Sequence, residues 1–83
     1  MDGNFKYRNK RIDFKITDNK GIIVRNGVEK MSRFITFYLE DKNLGTYAIY
    51  GDAEQMCSIS FVDAQKEFEK HIMEGSLDKS KII

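Results

Sequence analysis

The chain carries one histidine, His71, and one cysteine, Cys57. A histidine base works on a nucleophile and is oriented by a carboxylate, all within hydrogen-bond reach. No motif sets such partners around His71, which is expected near a helix C-terminus, where the dipole favours a cation. A reactive thiol needs cationic neighbours that lower its pKa. Cys57 has no basic cluster beside it and reads as a small, inert core residue. Asp63, Glu67, Glu69 and Glu74 are spaced closely enough to pair, but paired carboxylates do acid–base work only inside a pocket. They read instead as the solvated side of a helix.

Other chemistries lack their signatures. Asp41-Lys42-Asn43-Leu44-Gly45 has neither the spacing nor the ligand count of a calcium loop. One histidine and one cysteine cannot build a zinc cluster. Neither a dinucleotide fingerprint nor a P-loop occurs. The expectation is a protein that is not an enzyme and that holds no metal and no cofactor.

Binding chemistry is better represented. FKYRNKRIDFKI, residues 5 to 16, sets aromatics among five basic residues. Sheet-based nucleic-acid modules use cations for phosphates and aromatics for stacking. Lys6, Arg8, Lys10, Arg11, Lys15, Lys20 and Arg25 are candidates for the first role, and Phe5, Tyr7, Tyr38 and Tyr50 for the second. A two-residue turn at Asn9-Lys10 would pair Tyr7 with Ile12 and Phe5 with Phe14 on one face, leaving the basic residues on the other, and a bulge in one longer strand is the alternative. That is the pattern of an amphipathic hairpin with a cationic side.

The elements that position these residues follow from the hydrophobic pattern. Asp18 to Gly21 reads as a turn, Ile22-Ile23-Val24 as a strand, and Asn26-Gly27 as a hairpin turn, with a returning strand from Val28 to Glu40. RFITFYLEDKNLGTYAIYG predicts another hairpin around a loop at Asp41–Gly45, with Leu39 opposite Tyr47 and Phe37 opposite Ile49. Ile35, Phe37, Leu39 and Ile49 then share one face, and Thr36, Tyr38, Ala48 and Tyr50 the other. Gly51 to Glu54 breaks the strand, and Met56–Ile59 is expected to be a short strand. Ser60 is an N-cap with Asp63 in the capping-box position. Phe61, Ala64, Phe68 and Ile72 form one helical stripe, and Gly75 suits the residue past the helix end. The final isoleucines are expected to dock on the core or add an edge strand. The fold class is α+β: a single domain over 1–83, with an antiparallel β-meander of four to five strands in 1–59, one helix over 60–75 packed on one face, and a tail over 76–83.

Composition bounds the rest. The 83 residues are 41% hydrophobic with a net charge of +1, outside the regime of disordered chains. A chain this short buries about 60–65% of its unfolded surface. With no disulfide available, packing must hold it, with a homodimer as one further source of stability. No secretory h-region or membrane-spanning run is evident, so the expected compartment is cytoplasmic. Residues 1–33 hold nine Lys and Arg against four Asp and Glu, and residues 34–83 hold five against nine. A bipolar molecule steers partners even near zero net charge. Lys, Asn, Ile, Phe and Tyr are abundant and Pro and Trp absent, a bias that suits an AT-rich bacterium or its phages.

GTYAIYGD…SFVDAQKEFEKHI is similar to the end of the WGR domain, where aromatic strands precede a Phe-x-x-Ala-x-x-x-Phe helix. The matching residues are Tyr47, Tyr50, Gly51, Phe61, Ala64 and Phe68. The similarity covers under half the chain. Trp is absent, Asp52 stands where that family has Arg, and the connector before the helix is too short. Nothing about fold or function is carried over from it.

Two functions follow. The first is a non-catalytic regulatory protein docking on a larger protein through Tyr38, Tyr50, Gly51, Asp52 and Glu54, such as a phage or mobile-element inhibitor of a host system of the anti-CRISPR kind. The second is a nucleic-acid-binding module using the basic N-terminal half. The discriminating feature is geometric. Basic residues and exposed aromatics on one face favour nucleic acid, and their separation favours protein.

Overall fold

The computed structural model describes residues 2–18 and 20–82; the side chains of Arg25 and Phe61 are also outside the description. Five strands, β1 (Asp2–Tyr7), β2 (Lys10–Ile16), β3 (Gly21–Arg25), β4 (Val28–Leu39) and β5 (Lys42–Gly51), form one antiparallel sheet. Two α-helices follow, α1 (Ala53–Cys57) and α2 (Phe61–Met73), then a 3₁₀ turn over Lys79–Lys81. The expected α+β architecture, a sheet with a principal helix packed on it, is what the chain adopts.

β4 is the spine. Its 12 residues, at about 3.4 Å each, account for the molecule's 40 Å long axis. β5 lines one edge of it. β2 and β3 lie end to end along the other, β2 against 35–38 and β3 against 28–32. The Asp18–Gly21 stretch therefore does not reverse the chain. Between the two pairings only residues 33 and 34 of β4 are left over, an irregularity within one edge. Arg33 stitches it. Its Nε donates to the Thr17 carbonyl at 2.6 Å, Nη1 donates to the Met56 carbonyl at 2.9 Å, and Nη2 stands 3.8 Å from the Asp18 carboxylate. This buried arginine joins the kinked edge to α1.

All three hairpins close on two residues in the left-handed region: Arg8-Asn9 (φ 50° and 65°), Asn26-Gly27 (52° and 77°) and Glu40-Asp41 (50° and 66°). That twist matches the strands' own. The Asn26-Gly27 hairpin has the expected register, with Ile22 opposite Met31 and Val24 opposite Glu29. The other two differ. The first turn is at Arg8-Asn9, so Phe5 faces Ile12 and Tyr7 faces Lys10. The third is at Glu40-Asp41, so Asp41–Gly45 is not a loop, and Ile35, not Leu39, faces Tyr47. Leu44 is the extra residue of a bulge and turns into the core at 3% exposure. Gly45 beside it has φ 131°, and a Cβ there would stand 2.7 Å from the Tyr47 hydroxyl. Each shift moves the pairing by an even number of residues over most of the strand. The expected face assignments therefore survive.

The core lies between the sheet and the helical layer. Phe5, Ile12, Phe14, Ile16, Ile35 and Phe37 meet Ala64 and Phe68, with Leu77 and Ile82 of the tail docked beside them. Phe68 packs edge-on against Phe5, Tyr7 and Phe37, with ring centroids 5.0–5.3 Å apart. The predicted stripe is right at Ala64, Phe68 and Ile72, while the Phe61 side chain lies outside the described residues. Ser60 and Asp63 form the expected capping box, and Gly75 has φ 80° past the helix end. Met56–Ile59 is no strand. Asp52 and Gln55 form a second capping box that starts α1. A capping box places two orphan helix groups locally, and Met56 is buried as a result.

Candidate nucleic-acid interface

The helical layer covers one face of the sheet. The other is open and can be read row by row from the pairings. Asp2, Lys15, Thr36 and Thr46 form one row across β1, β2, β4 and β5, and Asn4, Asp13, Tyr38 and Asn43 the next. Lys6 and Arg11 lie beyond them. In the other direction come Phe34 with Ala48, Ser32 with Tyr50, and Lys30 with Ile23. Phe34 is 50% exposed and Tyr50 39%. Tyr38 is half-buried. The Thr36 and Thr46 hydroxyls pair at 2.8 Å between the aromatic positions.

This geometry corrects the expected tyrosine patch. Tyr50 faces Ser32, six residues from Tyr38 along β4, or about 20 Å. The two tyrosines do not form one patch. Phe34 is diagonal to Tyr50 and takes that place, with Tyr38 about 13 Å away on the same strand. Phe34 lies at the start of the predicted hairpin segment, outside the residues whose pairing was expected. Its parity with Thr36 and Tyr38 was the available signal.

Of the remaining expected docking residues, Gly51 and Asp52 are built into structure. Gly51 is buried beneath Gln55. The Asp52 carboxylate accepts from the Gln55 backbone at 2.8 Å. Glu54 is exposed in α1.

Of the basic candidates, Lys6, Arg11 and Lys15 stand on the open face, and Lys30 joins them. Arg11 is partly neutralised by Asp13 at 3.4 Å. Arg8 occupies the first turn, and Lys10 begins β2 on the helix side, opposite Tyr7. Lys20 is exposed in the connector to β3. Arg25 ends β3 with its side chain outside the described residues. Cations and aromatics therefore share one face.

The helix side holds the groups that first suggested chemistry. His71 stacks on Tyr47 at 4.0 Å, and its Nε2 is 3.3 Å from Glu67 Oε2. This carboxylate partner comes from helical spacing, and Glu67 turns inward rather than joining a solvated face. The contact is an ion-pair distance without hydrogen-bond geometry. Burial pushes the Tyr47 phenol up; its hydroxyl donates to the Leu44 and Ser76 carbonyls at 3.4 and 3.3 Å. Asp63 is held below the ordinary carboxylate range by hydrogen bonds from the Ser60 backbone and hydroxyl. Glu69 and Glu74 are exposed. Cys57 is exposed at the end of α1, contrary to the buried thiol expected, because Met56 takes the inward position. A cleft of about 330 Å³ between α1, α2 and β5 is lined by Ile49, Met56, Lys66 and Glu67 among others. Among the described residues no group of three His, Cys, Asp or Glu is placed to hold a metal, and no helix is long and apolar enough to cross a membrane. No family model, curated protein or solved structure matches the chain.

Proposed function

We propose that the protein is a non-catalytic binding module whose open sheet face takes a single-stranded nucleic acid. The observation that carries this reading is the coincidence of Phe34, Tyr38 and Tyr50 with Lys6, Arg11, Lys15 and Lys30 on one uncovered face. Bases stack on exposed rings with little sequence preference, while nearby cations meet the backbone. A sheet face offers both from one side. A fluorescence-anisotropy titration with a short single-stranded oligonucleotide tests it. Affinity should fall with salt, with a log–log slope of about −0.7 per phosphate neutralised. Phe34→Ala and Tyr50→Ala should each cost about 1–3 kcal/mol of binding, and Lys15→Glu should weaken binding and flatten the slope. Absence of binding at low salt would remove the proposal.

A second reading has its own observation. Beyond Met31 the β3–β4 hairpin is only two strands wide, and from Ile22 outward it exposes Ile22 at 70%, Val24 at 66% and Val28 at 55%. Exposed apolar groups on a protruding ribbon suit a protein partner. In this reading the chain is a small cytoplasmic regulator of a larger protein, such as a phage-borne inhibitor. Affinity capture with and without nuclease separates the two. A partner lost on nuclease treatment supports the first reading, and one retained supports the second.

A further inference from the structure

At the first hairpin's tip, on the side opposite the open face, Tyr7, Arg8 and Lys10 meet Lys79 and Ile82 of the tail around a cleft of about 330 Å³. The two segments are some seventy residues apart in sequence, and only the docking of Leu77 and Ile82 into the core brings them together. Among the described residues, three cations line the cleft and no carboxylate does. The nearest acid in sequence, Asp78, is committed to its own turn, where Oδ1 accepts from Ser80 N at 2.9 Å. Arg8 lies over the Tyr7 ring with its guanidinium carbon 5.6 Å from the centroid. That contact orients the guanidinium. A planar guanidinium stacks on flat groups and presents paired donors to phosphate. The volume is at the lower end for small-ligand sites. The half-buried Tyr7 and the buried Ile82 supply an apolar wall.

We propose that this notch is a second binding site, for a phosphate monoester attached to a planar group. A free nucleotide and the phosphorylated end of a nucleic-acid strand share that chemistry. Lys10 and Lys79 meet the phosphate, and the base rests against Tyr7 and the Arg8 plane. Three like charges gathered at one cleft repel one another, and a bound anion relieves that repulsion. The site does not depend on the open sheet face.

Calorimetric titration of the full chain with AMP, adenosine and inorganic phosphate tests the proposal. AMP should bind saturably, and adenosine and inorganic phosphate each more weakly by about tenfold, because each lacks one half of the ligand. Arg8→Glu and Lys79→Glu should each weaken AMP by about tenfold or more, while Phe34→Ala leaves it unchanged. Lys10→Ala and Lys79→Ala are milder variants should the reversals disturb folding. An oligonucleotide whose 5′ phosphate strengthens binding, with the gain lost in Lys79→Glu, identifies a strand end as the source. AMP binding without that gain identifies a free nucleotide. Adenosine binding as tightly as AMP, no saturable AMP binding at millimolar concentration, or folded Arg8 and Lys79 variants that bind AMP normally would each overturn the site.

Discussion

Phe34 and Phe37 stand three residues apart on β4 and point to opposite faces. Phe37 is fully buried among Phe5, Phe68 and Tyr47, while Phe34 is half-exposed. Phe37→Ala and Phe68→Ala should each cost roughly 3–5 kcal/mol of stability. Phe34→Ala should cost less than about 1 kcal/mol, so denaturant titration separates core residues from the one proposed to bind. Arg33 is a different residue-scale case. Arg33→Met leaves the Thr17 and Met56 carbonyls without their charged donor and should cost about 2–3 kcal/mol in the same measurement. Asp63 makes a pH prediction. Its folded pKa is depressed by the Ser60 hydrogen bonds, so its contribution is present above the unfolded value of about 3.9 and is lost as pH falls through the folded value. Thermal unfolding between pH 5 and pH 2 should show a shallower acid loss in Asp63→Asn than in the parent chain.

The elements show why some of the fold was legible and some was not. The α2 helix announced itself through Ser60, Asp63, Gly75 and the Ala64–Phe68–Ile72 stripe, because its caps and its buried face are local in sequence. Asn26-Gly27 was equally plain. Arg8-Asn9 and Glu40-Asp41 adopt the same left-handed turn without glycine, and no local signal separates them from neighbouring dipeptides. Their registers were misplaced, while the strand faces stood, since alternation fixes the face independently of the turn. The tyrosine patch failed for this reason and Phe34 was overlooked with it. α1 was hidden because a five-residue helix held by Asp52 and Gln55 has too little length to show a period. The turn account is testable. Non-glycine residues in the left-handed region cost about 1–2 kcal/mol each. Glu40→Asn combined with Asp41→Gly should therefore raise stability by about 1 kcal/mol in chemical denaturation.

Across the whole molecule, charge follows the layers. The N-terminal strands place Lys6, Arg11 and Lys15 on the open face, whereas Ala53 to Glu74 holds Glu54, Asp63, Glu67, Glu69 and Glu74 against Lys66 and Lys70. With Lys30 the open face carries, among the described residues, four cations against two carboxylates, Asp2 and Asp13, while the helical layer on the other side is net acidic. In the proposed function this difference would orient an anionic strand toward the sheet. The shape adds to this. The radius of gyration is 13.1 Å, against about 12 Å for a compact chain of this length, because the β3–β4 ribbon extends past the helical layer and lengthens the open face. The most direct test of the account is amide chemical-shift mapping of the full chain during titration with a single-stranded oligonucleotide at low salt. The account predicts saturable shifts centred on Phe34, Thr36, Tyr38, Ala48 and Tyr50 and spreading to Lys15. Shifts confined to α1 and α2, or none at saturating oligonucleotide, would contradict it.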